Sequence, residues 1–142
     1  MIQEILNAVT AKLDDLFDFE NNFTDEVPQG TSLPYTFTTI TPSPLVKRAG
    51  DRYEQSVTVS VIAEIENTPT MFDDLRDMAT KLEDGLEYLT LSDGSKMRGD
   101  NFHTNTSTGI LDFNVDYSYF IRKIKDKDET MDTVTTNVAV ND

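Results

Sequence analysis

Few residues of this chain could carry out covalent chemistry, and their placement argues against it. The single histidine, His103, lies in the polar stretch Lys96–Thr106 and reads as a surface residue rather than a base. There is no cysteine, which excludes disulfides, zinc thiolate sites and cysteine nucleophiles. The acidic pairs Asp14-Asp15 and Asp73-Asp74 are adjacent, so on a helix they point different ways and cannot converge on a metal ion. No nucleophile elbow, phosphate-cradling glycine loop or spaced calcium loop occurs. Arg98-Gly99-Asp100 matches an adhesion tripeptide, but three residues match too easily to weigh. No cofactor, metal or active site is expected. The residues argue for an assembly or binding protein.

What remains is charge. The net charge is −14, from 26 acidic and 12 basic residues. Such a surface does not bind nucleic acid broadly, because phosphate contacts need clustered Lys and Arg. Solubility alone can explain the acidity; the sharper reading is a surface that must repel DNA or imitate it. Against this background the basic residues group together. Lys47, Arg48 and Arg52 share the segment 41–52, and Arg122, Lys123, Lys125 and Lys127 follow one another late in the chain. A loop whose charge opposes that of the whole is a candidate contact with a neighbouring subunit or partner, set against a merely solvated loop. The candidate acidic set is Glu54, Glu64, Glu66, Asp112 and Asp116, assigned to the polar side of two long strands.

Those strands organise the chain. From Tyr53 to Glu66, Val57, Val59, Val61, Ala63 and Ile65 alternate with Glu54, Ser56, Thr58, Ser60 and Glu64, broken only by Gln55 and Ile62. From Ile110 to Arg122, Leu111, Phe113, Val115, Tyr117, Tyr119 and Ile121 alternate with Asp112, Asn114, Asp116 and Ser118. Each run is about twice a usual strand and on the order of 45 Å long if fully extended. A single domain of this size is narrower than that. The strands must either curve strongly or project past the core toward other subunits.

The remaining elements follow from spacing. Ile2, Ile5, Leu6, Val9, Leu13, Leu16 and Phe17 form the stripe of a first helix that ends before Phe19. Residues 18–34 read as a connector, and Leu33–Ile40 as a strand with Tyr35, Phe37 and Thr39 on one face, stopped by Pro42 and Pro44. Thr70 and Asp73 resemble a capping box opening a second helix, with the stripe Phe72, Leu75, Met78, Ala79, Leu82, Leu86 and Leu89. Gly85 costs about 1 kcal/mol there and marks close helix–sheet contact or an early end. Asp93-Gly94 opens a hairpin into an edge strand, Lys96–Thr106, and residues 106–109 turn into the second long strand. The expected fold is α+β: a mainly antiparallel sheet with two helices packed on one face, in the order α-β-β-α-β-β. The expected organisation is one domain over 1–128 and a C-terminal tail or assembly arm over 129–142. In that tail Val134, Thr136, Val138 and Val140 alternate as a weak strand without a local partner. The start MIQEILNAV has neither the basic residues nor the apolar run of a signal peptide, and no segment could span a bilayer, so a chain made in the cytosol is expected, with no membrane partner.

Taken in order, several elements resemble the tail terminator (tail completion) proteins of tailed bacteriophages. They are the amphipathic first helix ending near Phe17, Val27-Pro28-Gln29-Gly30 leading to Pro34-Tyr35, and the basic turn Lys47-Arg48-Ala49-Gly50-Asp51-Arg52 before the long strand. An acidic helix, the run from Gly109 to Tyr117, and Met131 complete the pattern; the segment beyond Met131 departs from it. The resemblance implies a structural virion protein assembled in the host cytoplasm and located at the head-proximal end of the tail. It implies a homo-oligomer, a hexameric ring that caps the tail tube, stops its polymerisation and presents the head–tail joining interface. The implied partners are the tail tube protein and head–tail connector proteins, with DNA passing through without specific binding. Two other readings compete: a head–tail connector of the neck, and an acidic DNA-mimic inhibitor of a DNA-binding protein.

Overall fold

The computed structural model describes residues 1–19, 21–125 and 136–141. Helices α1 (Ile2–Leu16) and α2 (Met71–Leu86) accompany nine strands. These are β1 (Asn21–Thr24), β2 (Tyr35–Pro42), β3 (Val46–Lys47), β4 (Arg52–Glu64), β5 (Tyr88–Thr90), β6 (Lys96–Arg98), β7 (Asp100–Ser107), β8 (Ile110–Lys125) and β9 (Thr136–Asn141). The main sheet runs β1-β2-β4-β8-β7, with β3 beside β4 and β9 beside β8; β5 and β6 form a separate hairpin. The α+β class holds. The order α-β-β-α-β-β does not, because it omits β1, β3, β5, β6 and β9. Nor is the sheet wholly antiparallel, since β1 pairs in parallel with β2 from Asn21↔Tyr35 to Thr24↔Thr38.

The centre of the sheet is the β4–β8 pair, joined over all 13 residues of β4, from Arg52↔Arg122 to Glu64↔Ile110. Strict alternation turns Val57, Val59, Val61, Ala63, Leu111, Phe113, Val115 and Tyr117 into one fully buried face. Both helices cover it: Ile5, Val9 and Leu13 of α1 and Leu75, Leu82 and Leu86 of α2 join the same core. The pair outruns its neighbours. β2 accompanies β4 only from Val57 onward and β7 accompanies β8 only as far as Asp116. At the Arg52/Arg122 end the flanking strands are instead β3 and β9. There Gln55, a break in the apolar pattern, turns inward and its amide donates to the Ser43 carbonyl oxygen.

Several local expectations are refined or corrected. In β2 Tyr35, Phe37 and Thr39 share one face as expected, and it is the open one; the buried side chains are Thr36 and Thr38, which pairing sets opposite Ala63 and Val61 on the core face. The Thr36 hydroxyl donates to Asn22 of β1. In α2 Leu75, Met78, Leu82 and Leu86 are buried as expected, but the stripe begins at Met71, four residues before Leu75, while Phe72 is 46% exposed. No capping box forms; the Thr70 hydroxyl reaches the Asp74 carboxylate at 3.2 Å. A Cβ on Gly85 would lie 2.6 Å from Leu16 Cδ1, so this glycine marks the approach of α2 to α1, not to the sheet.

The stretch 96–106 is two strands rather than one. Gly99 separates them where the chain runs tightly against Leu86 O and Val115, and the β7 register shifts between Asp100 and His103. The Asp93-Gly94 turn is held by the Ser95 hydroxyl and amide, 2.6 and 2.9 Å from Asp93 Oδ1. Those bonds hold the Asp93 carboxyl below the usual carboxylate range. The terminal alternation does find a local partner: β9 pairs antiparallel with β8 from Phe120↔Asn141 to Lys125↔Thr136. Val134 lies outside the described residues.

Candidate functional site

The helices cover one face of the sheet and leave the other open, and most of the charged candidates stand on or beside that open face. Reading along β4 and β8, the facing pairs are Glu54–Phe120, Ser56–Ser118, Thr58–Asp116, Ser60–Asn114, Ile62–Asp112 and Glu64–Ile110. These side chains form a cross-strand hydrogen-bonded ladder. Ser56 and Ser118 hydroxyls are 2.9 Å apart, Thr58 donates to Asp116 at 2.7 Å, and Ser60 reaches Asp112 at 3.4 Å. Amides complete it: Asn114 donates to Asp112 at 3.1 Å, and Asn101 of β7 donates to Asp116 at 3.0 Å. The Tyr35 hydroxyl donates to Glu64. Between the Arg52–Arg122 and Glu64–Ile110 rows, β4 and β8 carry no Lys or Arg here. Asp112, Asp116 and Glu64 are therefore oriented by neutral donors.

Toward β1 and β2 the same face changes character. Phe23, Phe37 and Ile62 share one row, and Phe23 packs edge-on to Tyr35 with ring centroids 6.1 Å apart. All four are only partly buried. The open face thus has an acidic, hydroxyl-rich half and an aromatic half.

At the Arg52/Arg122 end the charge reverses. Arg48 pairs with Glu54 at 2.5 Å, and Arg122 lies 3.7 Å from Asp51. The Arg52 guanidinium sits 4.2 Å from the Phe120 ring centroid, a cation–π contact. Lys47 makes no ion pair with any described residue. Val46, opposite Glu54 and so on the open-face side, is 47% exposed, whereas Lys47 stands opposite Tyr53 on the other side. Lys123 and Lys125 belong to the final part of β8.

At the opposite end of the strand pair lies a groove of about 490 Å³ between the end of α1, the start of α2 and the chain leaving β4. Its floor includes Leu16, Phe19, Ile65 and Met78, and its rim carries Asp18, Glu66, Asp74 and Asp77 with Lys81. Lys81 pairs with Asp77 at 3.2 Å.

Glu54, Glu64, Asp112 and Asp116 stand on the open face, the polar side that patterning gives them, while the pairing of β4 with β8 brings Arg122 beside Arg48 and Arg52, two groups that the sequence leaves separate. Patterning misplaced Glu66, which lies past the end of β4 and belongs to the groove, because the alternation it extends stops at Glu64. His103 is exposed on β7, its Nε2 3.1 Å from the Asn105 amide nitrogen, a surface position. The groove itself was not visible in the sequence. It gathers the end of α1, Pro34 and residues 65–81, which are separated in the chain and carry no motif of their own. Among the described residues no group of His, Cys, Asp and Glu could hold a metal ion.

No curated protein matches the chain. A solved structure shares 15% identity over 84% of this chain and 94% of its own length, with a TM-score of 0.39, too low to support any further comparison. The family described as "Phage tail terminator protein" matches residues 4–131, from the first turn of α1 through the whole of β8 and beyond. That span contains both faces of the sheet, the basic end and the acidic groove, and on that match the chain belongs to the phage tail terminator family, structural proteins of the virion tail.

Proposed function

We propose that the chain forms a closed hexameric ring that caps the head-proximal end of the tail tube, stops tube polymerisation and supplies the surface that joins the tail to the head. The open sheet face lines the bore through which DNA passes, and the basic end contacts acidic surface on neighbouring subunits or the tube. The observation that carries this reading is the open face itself. It is a long β4–β8 surface whose Asp112, Asp116 and Glu64 carboxylates are held by hydroxyl and amide donors, with no Lys or Arg between the terminal rows of those strands. A duplex sliding past fixed cations exchanges counterions for them and pauses at each contact. A wall of oriented carboxylates offers no such stop, and its repulsion is screened within about 8 Å at physiological salt. Exposed ion pairs contribute only ~0–1 kcal/mol singly, but ring symmetry repeats each one.

Mass by light scattering, with and without purified tube protein, tests the reading. A ring alone or on tube ends is the expected result. A species that stays monomeric or dimeric in both conditions and binds a DNA-binding protein instead would point to the DNA mimic. A ring that binds the connector but never the tube would point to a neck protein. A ring structure with Lys or Arg dominating the bore would remove the channel assignment while leaving the capping role.

A further inference from the structure

The two ends of the β4–β8 pair carry opposite charge and complementary apolar surface on one chain. The Arg52 end and the Glu64 end are separated by the length of β4, roughly 40 Å at ~3.3 Å per residue. At the first end Lys47, Arg48, Arg52 and Arg122 outnumber Asp51 and Glu54, and Val46 and Phe120 are exposed between them. At the second end Asp18, Glu66, Asp74 and Asp77 outnumber Lys81 around the apolar floor of the groove. Asp18 and Glu66 make no ion pair with any described residue.

We propose that the groove is the receptor for the β3–β4 hairpin of a second copy of this chain, so that successive subunits join head to tail. The proposal rests on the ring reading and names its interface. Two unlike patches at opposite ends of one subunit cannot meet within that subunit. Joined between copies they make a heterologous contact, the type that closes into a ring when the rotation per subunit allows it. Opposite charge sets orientation and encounter rate, and the apolar centre supplies the area removed from water. In a chain of net charge −14, a projecting end rich in cations has its best complement in the acidic rim that the same assembly brings beside it. The aromatic half of the open face lacks any such charged counterpart.

Charge reversal with mixing tests it. One variant carries Lys47→Glu, Arg48→Glu and Arg52→Glu; the other carries Asp18→Lys, Glu66→Lys and Asp77→Lys. All six positions are exposed, so both variants are expected to keep the wild-type melting temperature within a few degrees. Each alone should lose at least tenfold in ring formation at physiological salt. Mixed in equal amounts they should regain rings, because an alternating ring pairs every native end with a native partner and every reversed end with a reversed one. The chain has no cysteine, so Ala49→Cys combined with Thr68→Cys adds a clean second readout. Oxidation should give a ladder up to the closed ring, whereas either cysteine alone should stop at dimers.

Rings from either charge variant alone, failure of the mixture to recover, or no ladder in rings that do form would each overturn the docking while leaving the ring intact. A groove variant that forms rings yet no longer binds tube ends would show that the groove receives the tube protein instead. A wild-type chain that never assembles, alone or on tube ends, would remove the ring reading itself and this interface with it.

Discussion

The two faces of the β4–β8 pair are made from alternate residues of the same two strands, yet they obey different physics. On the covered face, Val57, Val59, Val61, Leu111, Phe113, Val115 and Tyr117 have no solvent exposure and pack among the two helices. On the open face, the intervening Ser56, Thr58, Ser60, Asp112, Asn114 and Asp116 bond to one another and keep contact with water. Deleting a side chain on the first face leaves a cavity. On the second, water replaces the missing partner. Stability is therefore concentrated on one parity of the strand, which leaves the other parity available for assembly.

The largest contrast is between neighbours on one strand. Phe113→Ala removes a fully buried ring that packs against Phe102 with centroids 6.0 Å apart, and should cost about 3–5 kcal/mol. Asn114→Ala, one residue on, should cost about 1 kcal/mol or less because its bond to Asp112 is only part-buried. Chemical denaturation of both variants measures the difference through the midpoint at constant slope. Equal midpoints would mean that the two faces are not energetically distinct.

Three substitutions with smaller effects probe how α2 meets the covered face and α1. A Cβ at Gly99 would stand 2.9 Å from the Leu86 carbonyl oxygen and 2.6 Å from Val115 Cγ2. Since the backbone oxygen cannot swing aside, Gly99→Ala should cost about 1–3 kcal/mol. Gly85→Ala meets only the flexible end of Leu16 and gains helix propensity of up to about 1 kcal/mol, so it should be close to neutral. The same Leu86 carbonyl accepts the Tyr117 hydroxyl, and Tyr117→Phe strands that acceptor at about 1–2 kcal/mol.

Burial pushes the Tyr117 phenol well above its usual range. The folded state holds this proton after the unfolded chain releases it, so the phenol's contribution is fully present below pH ~10 and is lost as pH rises further. The limiting slope is about 1.4 kcal/mol per pH unit. Thermal melts across that range should show a shallower alkaline decline in Tyr117→Phe than in the wild type. Parallel declines would assign the alkaline loss to other groups.

Legibility in the sequence follows from how each element is determined. The long strands and α1 were readable because periodicity alone decides them, and four of the five acidic candidates were placed on the open face by parity. Where a partner decides which face is buried, the sequence alone does not say. Thr36 and Thr38 enter the core because β4 presents Ala63 and Val61 opposite them, although Tyr35 and Phe37 are the more apolar pair. Met71 rather than Phe72 is buried at the start of α2; a side chain at Gly109 would lie 3.9 Å from the Met71 sulfur, a neighbour 38 positions along the chain. β1 was hidden because Asn21–Thr24 owes its strand to pairing with β2, not to its own propensity. The groove was hidden because it belongs to no single segment.

On the open face a small expected change in stability, at Asp116, carries the greatest functional weight. Asp116→Asn keeps an oxygen to accept from Thr58 and loses one exposed bond to Asn101, so the melting temperature should move by no more than about 2 °C. Asp116→Lys should fold nearly as well, for the position is only partly buried and β4 offers Thr58 opposite, not a cation. In a ring whose bore this face lines, the two variants part company. The lysine places a fixed cation beside passing phosphates, and DNA release from assembled virions should slow, most clearly at low salt, because every new cation–phosphate pair steepens the salt dependence. The asparagine adds no cation and should release DNA at a rate close to wild type. Release that is the same for all three proteins at every salt concentration would place Asp116 outside the bore and turn the open face toward another surface of the tail.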